Sequence, residues 1–96
     1  MKKIYIPHLH YIININRFKN PPPEQLNAKA FVQSDDPNSC SIFIKDKCTP
    51  PDLAHEIVHI LQFIALNRNI DFKLEQEHFG YLMQYIMAEI MGYKWK

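Results

Sequence analysis

The chain has few glycines, few cysteines and almost no net charge. The low glycine count and the balanced charge each exclude a class of function. Only two of the 96 residues are glycine, so no glycine-rich loop of the kind that cradles phosphates is present. Eleven lysines and arginines oppose ten aspartates and glutamates, for a net charge of +1. This balance gives no basic surplus for neutralising nucleic-acid phosphates. No apolar run approaches the ~20 residues of a membrane-spanning helix, and we expect neither a nucleic acid nor a membrane as partner.

The first residues lack the features of an export signal. Two lysines precede a short apolar stretch, but Pro7 and His8 interrupt it at once and no small-residue cleavage site follows. We therefore expect a cytoplasmic protein. In that compartment the two cysteines, Cys40 and Cys48, are expected to be free thiols.

The composition, with 47% hydrophobic and 22% charged residues, is that of a globular protein, and the length suits one domain over residues 1–96. Segments rich in isoleucine and aromatic residues predict strands at 3–6, 11–15, 30–33 and 40–45. Pro7 is expected to break the chain between the first two, and His8 and His10 to share one face of a strand. Prolines 21–23 predict an extended connector, and residues 24–28 a helical turn.

The second half predicts two helices. Thr49, Pro50 and Asp52 form the start signal of the first, with a capping threonine, a proline at the first helical position and an acidic residue three positions after the cap. This helix is expected to end near residues 67–69. Its apolar residues recur at helical spacing: Leu53, Ile57, Ile60, Leu61 and Ile64.

The second helix is predicted from about residue 73 to 93. Its apolar stripe is Phe79, Leu82, Met83, Ile86, Ile90 and Tyr93. Its other side carries small or aromatic residues: Gly80, Tyr81, Gln84, Tyr85 and Ala88. We expect this helix to be buried on two sides. The predicted fold class is α+β, with a small, mostly antiparallel sheet in residues 3–46 followed by two long helices.

The strongest functional signal is the motif His55-Glu56-Ile57-Val58-His59. Residues four apart project from one face of a helix, so the two imidazoles can converge on one metal ion. Zinc suits imidazole ligands and catalytic zinc sites keep one position open for water. Glu56 would then be placed to take a proton from that water. Both histidines face away from the apolar stripe, which predicts that they look toward a cleft.

A third ligand must come from the second helix, where Glu75, Glu77 and His78 are the candidates. Glu75 is in line with the apolar stripe, whereas Glu77 is in line with the small and aromatic side, against which we expect the first helix to pack. Glu77 is therefore the predicted ligand, and Glu75 and His78 stay open as alternatives.

The order of these residues resembles the gluzincin branch of zinc metallopeptidases in its smallest form. The similarity is greatest to the compact ImmA/IrrE-like peptidases and to small phage-encoded proteins, in which a glutamate on the second helix is followed by a small residue and an aromatic one. Glu77-His78-Phe79-Gly80-Tyr81-Leu82 fits this pattern, with Gly80 where alanine is commoner, and the resemblance spans residues 40–91. It implies that His55, His59 and Glu77 bind zinc and that Glu56 is the general base. It also implies that residues 41–45 border the cleft and can pair with an extended substrate.

Two hypotheses about function follow. The first is a zinc-dependent peptidase acting on a protein or peptide, with Glu56 as base. The hydroxyl of Tyr81 or Tyr85 is a candidate for stabilising an oxyanion, and we assign this catalytic role to Tyr81. Packing of both aromatics between the helices is the competing interpretation. The second hypothesis is a non-catalytic, zinc-stabilised phage or mobile-element protein that acts by binding a host protein.

Overall fold

The computed structural model describes residues 2–18, 29–71 and 73–94. Four strands precede two helices, which confirms the α+β class. The strands are β1 (Lys2–Ile6), β2 (Tyr11–Arg17), β3 (Ala30–Asp36) and β4 (Ser39–Ile44), and the helices are α1 (Pro50–Asn67) and α2 (Gln76–Lys94). The predicted proline connector at 21–23 and the helical turn at 24–28 lie outside the described residues.

The sheet is mixed, and two of its three strand pairs are antiparallel, in keeping with the expectation of a mostly antiparallel sheet. Its strand order is β1-β2-β4-β3, in which β1–β2 and β3–β4 are antiparallel but the central pair β2–β4 is parallel. Ile13 lies opposite both Ile4 and Cys40 in these ladders. The composition of a strand does not record which edge of it meets a later strand, and for this reason the parallel pair was not predictable.

One face of the sheet carries the core, because alternate strand residues point to the same side. The helices cover this face with their own apolar stripes. The buried hydrophobic residues include Ile4, Ile6, Tyr11, Ile13, Ile15, Ile42, Ile44, Leu53, Ile57, Ile60, Leu61, Ile64, Phe79, Leu82, Ile86 and Ile90. The apolar stripe predicted for α1 is thus confirmed residue by residue. Of the stripe predicted for α2, Phe79, Leu82, Ile86 and Ile90 are buried and Met83 is partly buried, while the side chain of Tyr93 lies outside the described residues.

The connection between β1 and β2 is a 3-10 turn over Pro7–Leu9, followed by His10 in the left-handed region with φ 49°. Pro7 fixes its own φ and has no amide hydrogen to donate to a ladder, which ends the strand. The expectation that His8 and His10 share a strand face is therefore wrong. Both histidines lie in the turn.

Cys40 and Cys48 form no disulfide, as predicted, and both are buried. Burial raises the pKa of the Cys40 thiol to about 12. This thiol therefore stays protonated at neutral pH and is a poor metal ligand and nucleophile. Within the described part of the chain, neither helix combines the length and apolarity that crossing a membrane requires.

Candidate metal centre on the first long helix

The start of α1 is fixed by the predicted capping box. The Thr49 amide donates to Asp52 Oδ2 at 2.9 Å, and the Asp52 amide donates to Thr49 Oγ1 at 3.4 Å. Hydrogen bonds from Thr49 hold the pKa of Asp52 below its ordinary value. Because the box sets where the helix begins, it also sets which way the residues one and two turns later project.

His55 and His59 lie on the side of α1 opposite its buried stripe. The His55 side chain is exposed and that of His59 is half-buried. Their ring centroids are 5.1 Å apart, with the ring planes at 74°. The structure confirms that the two imidazoles share one accessible helix face, which is the arrangement that the motif spacing predicted.

Gln62, one turn after His59, orients that imidazole. Its Oε1 lies 3.3 Å from His59 Nδ1, and a carbonyl oxygen can only accept, so Nδ1 carries the proton in this contact. The Nε2 lone pair of His59 is then free for a metal ion. Metal-binding histidines are commonly fixed in this way by an acceptor on their other nitrogen. From the sequence, Gln62 was a candidate either for lining the cleft or for being an ordinary polar helix residue, and its contact with His59 was not predicted.

Glu56 lies between the two histidines in sequence and is half-buried. Burial raises the pKa of its carboxyl, and the neighbouring His59 and His55 oppose that rise. A carboxyl with a raised pKa beside two imidazoles is a recognised feature of functional sites, since it binds a proton more readily than an exposed glutamate does.

None of the three candidates for the third ligand forms a metal-binding group with His55 and His59. Glu75 and Glu77 are both exposed, and His78 instead contacts His8, with the two Nε2 atoms 3.0 Å apart. Across residues 2–18, 29–71 and 73–94, no three side chains of the histidine, cysteine, aspartate or glutamate type form a group that could hold a metal ion. The structure brings His55 and His59 together, and the assignment of Glu77 as their partner stays a prediction.

The expectation that α2 is buried on two sides is wrong. Gly80, Tyr81 and Ala88 are exposed, and a Cβ atom built at Gly80 would meet nothing within 4 Å. The physical reason is that, among the described residues, the fully buried side chains of α2 all lie on the stripe from Phe79 to Ile90, and the opposite side is exposed. Helix α1 therefore does not pack against the face that carries Glu77.

Tyr81 and Tyr85 line a groove that does not include His55 or His59. This groove has a volume of about 440 Å³ and is also lined by Ile6, Pro7, His8, His78 and Leu82. Tyr81 is 64% exposed, and the Tyr85 hydroxyl donates to the backbone oxygen of Tyr5 at 3.4 Å. Neither ring is packed between the two helices, and the catalytic role of Tyr81 stays a prediction.

Arg68 has a structural role that was not predicted from the sequence. It follows the last residue of α1, and its guanidinium donates to the backbone oxygens of Leu9 at 2.8 Å, Pro37 at 3.0 Å and His10 at 3.2 Å. It also donates to Asn38 Oδ1 at 2.8 Å. One side chain thus ties the end of α1 to two turns of the sheet. No local pattern signals this role, because all of these acceptors are distant in sequence.

Comparison of the chain with protein-family models, with curated proteins and with solved structures finds no match.

Proposed function

We propose that this protein is a zinc-dependent hydrolase, and that its substrate is a protein or peptide. The observation that carries the proposal is the pair His55 and His59 on one accessible face of α1, with the half-buried Glu56 carboxyl beside them. The donor set fits zinc in type and spacing, since imidazole nitrogens four residues apart on a helix can bind one ion.

The roles of the residues follow from their chemistry. His55 and His59 would hold the ion through ring nitrogens, with Gln62 fixing the orientation of His59. Zinc in such a site polarises a carbonyl and lowers the pKa of bound water to about 7. Glu56 would accept the proton of the attacking water and pass it to the leaving amine. Glu77 is the proposed third ligand, with Glu75 and His78 as alternatives.

An apolar groove on α1 supports a peptide substrate. It has a volume of about 630 Å³ and is lined by Val58, Gln62, Ala65, Leu66, Asn69 and Ile70, of which Gln62 contacts His59. Leu66 is 79% exposed. A groove of this character can take an apolar side chain adjoining the bond to be cleaved.

The proposal is tested by comparing the zinc-loaded wild type with Glu56→Gln on a library of unstructured peptides. We expect Glu56→Gln to retain zinc and to lose at least ~100-fold in hydrolysis rate, which is the contribution typical of a general base. Glu89→Gln is the matched control. It removes a carboxylate that pairs with Lys2 at 3.3 Å and is expected to leave hydrolysis unchanged.

The same proteins distinguish the three candidates for the third ligand. Zinc affinity is expected to fall in Glu77→Gln and to be unchanged in Glu75→Gln and His78→Ala. A wild type that binds zinc at His55 and His59 but cleaves no peptide would contradict the hydrolase proposal. That result would favour the second function, a zinc-stabilised protein that binds another protein. The exposed apolar groove beside His59 is the observation that favours this alternative.

A further inference from the structure

A second pair of imidazoles lies away from the His55 and His59 face. His8 Nε2 and His78 Nε2 are 3.0 Å apart, although 70 positions separate the residues in sequence. Their ring centroids are 5.2 Å apart and the rings are tilted by 40°. His8 belongs to the turn between β1 and β2, and His78 lies in the first turns of α2.

The backbone on both sides of this pair is held in place. The turn that carries His8 is closed by a hydrogen bond from the His10 amide to the Pro7 oxygen at 3.2 Å, and Arg68 binds the oxygens of Leu9 and His10. The His78 ring packs on the ring of Phe79, with centroids 5.8 Å apart. Phe79 is itself part of the core. The contact is therefore between two anchored positions rather than two free side chains.

We propose that His8 and His78 form a second transition-metal site, suited to Ni²⁺ or Cu²⁺. With metal–nitrogen bonds of about 2.0–2.1 Å, two nitrogens 3.0 Å apart can bind one ion at an angle of about 95°. Such an angle matches neighbouring positions of tetragonal or octahedral coordination, the geometries that Cu²⁺ and Ni²⁺ favour with nitrogen and oxygen ligands. Without a metal, two neutral imidazoles share only one N–H···N contact, whereas an ion uses both lone pairs.

The remaining coordination positions open to solvent. The pair borders the groove of about 440 Å³ that Tyr81 and Tyr85 also line. Among the residues that the structure describes, no third histidine, cysteine or carboxylate completes a group. Water or a small ligand would therefore fill the other positions, and the site would exchange its metal readily. The bound ion would link the β1–β2 turn to α2.

The site is tested by titrating Ni²⁺ into the full chain and following the heat of binding. Every protein in the series carries His55→Ala, which removes the pair on α1 from the measurement. In this background we expect one equivalent of Ni²⁺ to bind, and His8→Ala and His78→Ala each to abolish that binding. His10→Ala is the matched control, because His10 lies in the same turn and is exposed; it is expected to bind as before. Circular dichroism checks that each variant is folded.

Cu²⁺ loading provides a second readout, since electron paramagnetic resonance detects the nitrogens bound to the ion. We expect a spectrum from two imidazoles that is lost in both His8→Ala and His78→Ala. The proposal is overturned if Ni²⁺ does not bind in the His55→Ala background, or if binding survives both substitutions. Neither result bears on hydrolysis, which is measured with zinc and depends on Glu56.

Discussion

The two histidine pairs of this protein have nearly the same ring separation but are formed in different ways. The ring centroids are 5.1 Å apart for His55 and His59 and 5.2 Å apart for His8 and His78. The first separation follows from the periodicity of one helix, since residues four apart are neighbours on its surface. The second requires α2 and the β1–β2 turn to be docked on the same sheet.

The surroundings of the pairs differ as well. Beside the pair on α1 lies the half-buried Glu56 carboxyl, whose pKa burial raises. The pair formed by His8 and His78 has tyrosines beside it and depends on Arg68 for the position of its turn. The comparison indicates that sequence spacing alone can place two imidazoles and a carboxyl together within one helix. A pair formed across the fold instead reports whether the fold is intact.

The largest expected effect comes from weakening the buried core on which both histidine pairs depend. Ile57 is fully buried on the stripe of α1, and truncation of a buried isoleucine to alanine costs about 2–5 kcal/mol. A helix of 18 residues is marginal without tertiary packing, so the pair on α1 also depends on this core. We expect Ile57→Ala to lower the free energy of unfolding by that amount, as measured by urea denaturation.

Val58→Ala is the control for this prediction, because Val58 is the next residue along the helix and is 40% exposed. It is expected to change stability by no more than about 0.5 kcal/mol. Equal effects of the two substitutions would mean that α1 is not held to the sheet by its buried stripe.

The second-largest expected effect distinguishes the two histidine pairs, because it acts on only one of them. Arg68→Ala removes the donor that binds Leu9 and His10 on either side of His8. We expect a loss of about 2–3 kcal/mol in stability, the scale for hydrogen bonds from a charged group. We also expect Ni²⁺ affinity at His8 and His78 to fall, with zinc affinity at His55 and His59 unchanged. Denaturation and metal titration of the folded variant measure the two outcomes.

Arg68→Lys sharpens this test, since lysine keeps the charge but not the planar fork that reaches several acceptors at once. It is expected to recover only a small part of the stability. Lys3→Ala, which removes an exposed cation from β1, serves as the control and should be neutral. If Arg68→Ala weakened zinc binding on α1 as much as Ni²⁺ binding at the turn, the two pairs would not be independent.

The features that the sequence could predict are local ones, and those that it could not predict depend on contacts across the fold. The capping box at Thr49, the buried stripe of α1 and the pairing of His55 with His59 are all local, and all three are confirmed. The exposed side of α2 was predicted wrongly, because small and aromatic residues such as Gly80 and Tyr81 do not reveal whether another layer covers them. The contact of His8 with His78 and the hydrogen bonds of Arg68 to the two turns of the sheet depend on tertiary packing, which leaves no signature in residue spacing.

The third ligand illustrates the limit most clearly. Whether a glutamate near the start of α2 could reach a metal ion held by His55 and His59 depends on how that helix is rotated about its own axis against α1. A rotation of 100° per residue puts Glu77 and His78 on different faces of α2, and Glu75 lies in the turn before this helix, so spacing alone could rank the three but not choose. The structure assigns His78 to a contact with His8, and the zinc titration of the Glu77 and Glu75 variants addresses the other two.

The smallest expected effect concerns Glu56, beside the histidine pair on α1, and it is an increase in stability rather than a decrease. Because burial raises the pKa of Glu56, its ionised form is less favourable in the folded protein than in the unfolded chain. The folded state therefore loses stability as the pH rises from the ordinary glutamate pKa through the raised pKa of this carboxyl. In the metal-free protein, Glu56→Gln removes the charge.

We accordingly expect metal-free Glu56→Gln to be more stable than the wild type at pH 7 by no more than about 0.5 kcal/mol, the range for half-exposed positions. The difference should vanish below the ordinary glutamate pKa of 4.5, where both proteins carry a neutral side chain. Thermal denaturation at several pH values measures it, with Glu89→Gln as the control that should not be stabilised. If Glu56→Gln stabilises the metal-free protein and also abolishes hydrolysis, the carboxyl is one retained for chemistry rather than for folding. If Glu56→Gln were instead destabilising at pH 7, the carboxyl would have a structural role, and the distinction between the two pairs would no longer rest on Glu56.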